Sequence, residues 1–251
     1  MSIYDKSSLV LIPSGTKAGK VYSQKPVSGD GDFTFTRSSA ATRVNASGNI
    51  EKETSNLLSG SNDFDNNTYW SVTNVSVVSG QAGYDGTNDA FKIVEDTASG
   101  QHIIQQSVLS LGVVQCVSVY AKAAGRDWLM INQSGIRRTY YDLANGVMGT
   151  IDGGVIDATI TDVGGGWYRC TYTADMDYTG LRIGPTTSNG VNTYTGDGAS
   201  GILVQDAQVE QGLVARDYIE TTTSAVYGGI TDNVPRLDYT DSSCPALLLE
   251  P

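Results

Sequence analysis

Residues 113–143 read VVQCVSVYAKAAGRDWLMINQSGIRRTYYDL, and this stretch decides the fold class. Val113–Lys122 is a strand of about ten residues with Val117 and Val119 on one side of the pleat. Trp128–Asn132 and Arg138–Leu143 form a hairpin pair around the loop Gln133–Gly135. Successive side chains of a strand point to opposite faces. Leu129, Ile131, Tyr141 and Leu143 therefore face a core, and Trp128, Met130, Asn132, Arg138, Tyr140 and Asp142 face the other way.

The same rhythm continues outward from this stretch. Toward the N-terminus it gives strands at Ser71–Val78, Ala90–Val94 and His102–Val108, with Gln81–Asp89 (QAGYDGTND) as a turn-rich loop. Toward the C-terminus it gives Val155–Val163 and Trp167–Ala174 around Gly164-Gly165-Gly166, then Leu181–Ile183, Gly201–Gln208 and Tyr218–Thr222. No stretch shows the i, i+3, i+4, i+7 apolar spacing of a helix. The 29 Gly against 6 Pro in 251 residues, with abundant Ser, Thr, Asn and Asp, supply the turns that many short strands need. A hydrophobic fraction of 39% with 17% charged residues excludes wholesale disorder. The fold class is all-β: a jelly-roll β-sandwich with an extended N-terminal arm and a loop-rich C-terminal connector. The corresponding domains are 1–52, 53–224 and 225–251.

Charge separates the arm from the rest. The chain carries net −11, yet residues 1–52 hold seven Lys/Arg against four Asp/Glu, net +3, and the remainder holds net −14. An acidic body argues against nucleic acid and against an anionic membrane surface as partners. No 18-residue apolar run exists and no signal peptide opens the chain, so export by lysis or assembly is expected. Cys116, Cys170 and Cys244 have no metal spacing. Cys116 and Cys170 lie in strand-like runs and read as small buried hydrophobes. Residues 236–251 (RLDYTDSSCPALLLEP) faintly echo residues 43–58 (RVNASGNIEKETSNLL).

Several runs resemble a known family. YDKSSLVLIPSGTKAGKVYSQKP, GDFTFTRSSAATRVNASGNIEKETSNLL and PRLDYTDSSCPALLLEP look like modules of head-fibre and tail-fibre proteins of tailed phages infecting Bacteroidetes and marine bacteria, crAss-like phages included. SVYAKAAGRDW, YYDLANG, ITDVGGGWYRC, YTGDGASGILVQDAQVEQG and YIETT resemble the jelly-roll domains of those proteins, which are similar to carbohydrate-binding modules. The resemblance implies a non-enzymatic virion structural protein, assembled in the host cytoplasm as a homotrimer. Its partners would be other virion proteins of the capsid or tail, with a host surface glycan as a possible ligand. In the proteins it resembles, LLLEP leads into further modules.

Chemistry-bearing motifs are sparse. His102 is the one histidine and reads as a partly buried strand side chain. No nucleophile elbow, HExxH or P-loop occurs. Most Asp residues sit in Gly/Asn/Ser turns, where Asp caps its own backbone, so no catalytic residue is expected. Asp30-Gly31-Asp32, Asp85–Asp89 and Asp197 are oxygen-rich but do not follow the EF-hand pattern. No metal or other cofactor is expected. The four outward residues Trp128, Asn132, Arg138 and Tyr140 form a glycan-binding or interface candidate, because an aromatic face beside polar groups suits a sugar and equally suits a neighbouring subunit or the capsid. Trp70 and Trp167 are assigned to the core. In the arm, Leu9, Leu11, Ile12, Phe33 and Phe35 are the apolar docking candidates, and Lys17, Lys20, Lys25 and Arg37 the steering charges.

Overall fold

A computed structural model of the chain describes residues 3–17, 20–34, 42–44, 50–52, 54–107, 114–133, 136–175, 180–228, 236–238 and 246–248. The protein is all-β and divides into two compact units, Ser55–Val226 and the two ends, Met1–Thr54 with Tyr227–Pro251.

Ser55–Val226 is a β-sandwich. Its strands are β1 (Ser71–Thr73), β2 (Val75–Gln81), β3 (Ala90–Glu95), β4 (Ile103–Ser107), β5 (Val114–Ala124) and β6 (Trp128–Gln133). They continue with β7 (Ile136–Asp142), β8 (Val147–Ile151), β9 (Val155–Gly164), β10 (Trp167–Asp175), β11 (Gly180–Thr186) and β12 (Gly201–Gln211). One six-stranded antiparallel sheet runs β8-β7-β6-β11-β4-β1, and the other runs β9-β10-β5-β12-β3-β2.

The inner faces follow from the alternation. Val117, Val119 and Ala121 of β5 oppose Ile104, Leu129, Ile131 and Ile183 of the other sheet in one fully buried cluster. Tyr141 joins it, and its hydroxyl donates to the Thr171 carbonyl of β10 at 2.5 Å, which fastens one sheet to the other. Phe64, Trp70 and Phe91 form part of the same core, with ring centroids 4.9 and 5.4 Å apart. Trp70 also satisfies its indole N–H on the Gly60 carbonyl at 2.8 Å.

Three strand expectations change. The run Ser71–Val78 is two strands in different sheets, because Asn74 adopts φ 54° and turns the chain from one sheet into the other. Val147–Ile151 is a strand that the sequence did not announce. It is an edge strand with no buried residue, so it has no apolar alternation to read. Tyr218–Thr222 is extended but joins no ladder. Its backbone bonds go to the Asn56, Gln208 and Ser61 side chains and to the backbone of residues 60 and 61.

In the unit of the two ends, Val10–Lys17, Lys20–Lys25 and Phe33–Thr34 form a three-stranded antiparallel sheet after a helical turn at Ile3–Lys6. Thr42–Val44 pairs with Ile50–Lys52, and Arg236–Asp238 pairs with Ala246–Leu248. Each half of the sequence echo thus contributes an antiparallel strand pair with an arginine in its first strand.

Candidate functional site

The outer face of the first sheet collects the hairpin candidates. Antiparallel register places Gln105, Arg182 and Asn132 in one rank across β4, β11 and β6. The next rank holds Gly184, Met130 and Tyr140, and the one after it Thr186, Trp128 and Asp142. Trp128, Asn132, Arg138 and Tyr140 therefore share a face, but they do not share exposure. Asn132, Met130 and Tyr140 are buried, at 0%, 1% and 2% exposed, while Trp128 and Arg138 are half-buried. The expectation that Trp128, Asn132, Arg138 and Tyr140 form a solvent-side face is corrected for Asn132 and Tyr140.

The cause is local. Ile103, Met130 and Tyr140 form a small apolar cluster of their own, with Trp128 packed on it. Gly149 on β8 leaves the room: a Cβ there would stand 2.6 Å from Trp128 Cζ3 and 3.0 Å from Tyr140 Cβ. The loop after β11 returns over the same spot, where Asn189 Oδ1 accepts the Thr150 N–H at 2.7 Å. Arg138 is held by Asp152, whose Oδ2 accepts its backbone N–H at 3.1 Å and its guanidinium at 3.3 Å. Arg182 was not singled out from sequence. The signal was present, since an arginine between Leu181 and Ile183 must leave the core at period two. Its Nε donates to Gln105 Oε1 at 2.6 Å and its Nη1 to Gln101 Oε1 at 3.3 Å. Beside Gln105 lies an open cleft of about 320 Å³ lined by neutral groups, Tyr69, Ser71 and Gln106 among them.

The outer face of the second sheet holds a different site. Tyr120 of β5 faces outward, and Tyr84 from the 82–89 loop stacks on it with centroids 3.7 Å apart and planes 7° from parallel. Trp167 is buried on this outer face, edge-on to Tyr84 at 6.4 Å, and not between the sheets. That corrects its assignment to the core. The ladder between β5 and β12 slips between Ser118 and Tyr120, and Asp206 takes φ 54° there. Asp206 Oδ2 accepts the Tyr84 hydroxyl at 2.9 Å.

A cleft of about 520 Å³ opens above this point. It is lined by Asn62, Tyr84, Tyr120 and Tyr218, together with Asp85, Asp89, Asp206, Asp217 and Glu220. Burial pushes the Asp206 carboxyl up to about 6. Asp89, Asp85 and Glu220 add to that rise, and the Tyr84 hydrogen bond works against it. Burial likewise raises the Tyr84 and Tyr218 phenols. Tyr84 and Asp206 are 122 residues apart, so no local pattern joins them.

The remaining polar clusters are structural. Wholly buried Glu95 receives the Arg126 guanidinium, the Tyr194 hydroxyl at 2.7 Å and the Asp197 N–H at 2.8 Å. Burial would raise its carboxyl, but these bonds outweigh burial and hold it below the ordinary value. His102 is buried just ahead of β4, with Nδ1 2.8 Å from the Asn74 carbonyl and Nε2 3.3 Å from the Tyr194 carbonyl. Asp85, Asp96, Asp142, Asp162 and Asp197 each accept a backbone N–H two residues on, which is turn-capping work. Among the described residues no group of three His, Cys, Asp or Glu is set to hold a metal ion. Cys116 and Cys170 are buried free thiols, and no helix among the described residues is long and apolar enough to cross a membrane.

Of the arm candidates, Leu9 and Phe33 are 43% and 52% exposed and Leu11 is half-buried. Ile12 and Lys17 belong to the Val10–Lys17 strand. Lys20 pairs with Asp32 at 3.4 Å, and Lys25 Nζ donates to the carbonyls of Tyr4 and Asp5. Phe35 and Arg37 lie outside the described residues.

No family model matches the chain, and no curated protein matches it. Solved structures that match the chain include the following two. One is the CBM22-1–GH10 modules of Clostridium thermocellum endo-1,4-β-D-xylanase 10B complexed with xylohexaose, at 15% identity and TM-score 0.39, covering 66% of this chain and 30% of that one. The chain therefore spans under a third of that structure's length. The other is TmCBM61 in complex with β-1,4-galactotriose, at 12% identity and TM-score 0.37, covering 62% of this chain and 99% of that one. Both neighbours are named for carbohydrate-binding modules.

Proposed function

We propose that the Ser55–Val226 sandwich is a non-catalytic glycan-binding module carried by a fibre-type virion structural protein of a tailed phage. The observation that carries the glycan half is the outer face of the first sheet. There a half-buried Trp128 shares a face with the hydrogen-bonding side chains of Gln105 and Arg182, two ranks away and likewise fixed on β-strands rather than on loops. Sugars are held by an aromatic surface with a few well-placed polar groups, and strands keep those groups in position before the ligand arrives. The virion half rests on the resemblance of residues 1–52 and 236–251 to fibre modules. In that reading the N-terminal arm docks to the particle, the sandwich faces the host, and the assembly is a trimer.

Two experiments test the two halves. A glycan array probed with the purified chain should show retention of host surface polysaccharide, and Trp128→Ala should remove it. Deleting residues 2–52 should leave a folded sandwich that no longer enters particles; incorporation at wild-type occupancy would exclude the arm as the anchor. Asp206, with its carboxyl raised toward neutrality in an acidic cleft, favours one competing reading, a glycan depolymerase whose general acid sits there. Release of new reducing ends from host polysaccharide that disappears in Asp206→Asn would establish that reading; the proposed function predicts none.

A further inference from the structure

We infer that the saccharide taken by the first sheet's outer face carries carboxylates, and that Arg182 holds one of them. The inference rests on the glycan reading of that face and names its ligand class. Arg182 is half-buried, and both of its hydrogen-bond partners, Gln105 and Gln101, are neutral amides. No carboxylate among the described residues pairs with it, and its Nη2 has no partner among them. Two other arginines of the sandwich are treated differently: Arg138 is matched by Asp152, and Arg126 by Glu95 and Asp197.

A cation withdrawn from water without a counter-charge costs free energy, and proteins ordinarily meet that cost with a carboxylate. Two glutamines do something else. They fix the plane of the guanidinium and leave its charge intact, with one edge of the fork unspent. That edge matches the two oxygens of a carboxylate in parallel hydrogen bonds. The flanking amide of half-buried Gln105 suits a hydroxyl of the same sugar ring. Net charge −11 repels a polyanion at long range, but at physiological ionic strength that repulsion is screened within about 8 Å. Recognition therefore falls to contact at Arg182 rather than to the field of the whole molecule.

The test uses the full chain against immobilised polygalacturonate, alginate and hyaluronate, each beside the same polymer with its carboxyls reduced to alcohols. At least one acidic polymer should be retained, and its reduced form should bind about tenfold or more weakly, the loss expected for a charged hydrogen-bond pair. Arg182→Gln should erase that preference at an unchanged melting temperature. Arg182→Lys, which keeps the charge and loses the fork, should restore only part of it. Gln101→Ala leaves the arginine in place but unclamped, and should weaken acid binding by a smaller factor. Equal binding of acidic and reduced polymers, unchanged in Arg182→Gln, would overturn the carboxylate inference while the glycan reading stands. Retention of none of the polymers overturns the inference for these uronates, and an empty array of neutral glycans alongside it overturns the glycan reading as well.

Discussion

The outer faces of the two sheets begin from the same alternation and become different surfaces. On the first, Trp128, Met130 and Tyr140 alternate with core residues Leu129, Ile131 and Tyr141, and a short loop through Asn189 closes over part of them. What stays accessible is part of Trp128 and, two ranks away, part of Gln105 and Arg182. On the second, Tyr120 and Trp167 alternate with Val119, Ala121 and Cys170, but the 82–89 loop and residues 217–220 come down beside them and bring four carboxylates to join Asp206. Alternation decides which face a side chain occupies. The loops that return over that face decide whether it is open and what charge it meets.

The largest effect expected from this contrast is in stability. Trp167→Ala removes a ring that is 3% exposed and packed under Tyr84, and should cost about 3–5 kcal/mol in denaturant unfolding. Trp128→Ala, at a half-buried site, should cost about 1 kcal/mol. Equal losses for the two would mean that the faces are not closed and open as described.

Gly149→Ala sharpens the comparison on the first face alone. The new methyl would meet Trp128 and the Asn189 side chain, so overpacking should cost about 1–3 kcal/mol and shift the Trp128 fluorescence, while glycan retention falls. A neutral outcome would mean that Trp128 does not depend on the space above residue 149.

On the second face the expected change is smaller and depends on pH. The Asp206 carboxyl titrates near 6 when folded against an ordinary 3.8. The unfolded chain therefore gives up this proton first, and the stability associated with it is present below about pH 4 and lost as pH rises through 6. Asp206→Asn keeps an acceptor for Tyr84 and tolerates the positive φ. It should match wild type at pH 4 and exceed it by about 1–2 kcal/mol at pH 7.5. Parallel melting curves from pH 4 to 8 would show that the acidic cleft imposes no such penalty.

Much of the sandwich was legible from residues alone because both faces of a strand are written at period two. Val117, Val119, Tyr141 and Leu143 are buried between the sheets as the alternation requires, and Trp167 is buried as expected but on the outer face. Trp167 shows the limit of that reading. Burial beneath a loop and burial between sheets leave the same mark on a tryptophan, and only the register to Lys122 separates them. The switch of sheets at Asn74 was illegible because one residue in a left-handed conformation interrupts no apolar pattern. On the first face, Arg182 could be placed by its apolar neighbours, but its clamp could not. Gln101 and Gln105 lie 81 and 77 residues away, and no local rule connects them. The acidic cleft is of the same kind, built from loops that meet only when the sheets have formed.

The central claim is that a glycan is held on the outer face of the first sheet, and binding of host surface polysaccharide to paired variants tests it most directly. Wild type should bind. Trp128→Ala should lose about tenfold or more, as expected when an aromatic platform is removed. The double variant Asp89→Asn, Glu220→Gln, which alters only the acidic cleft, should bind as wild type does. Binding that survives Trp128→Ala and disappears in the cleft variant would contradict the account, as would a chain that holds no host glycan at all.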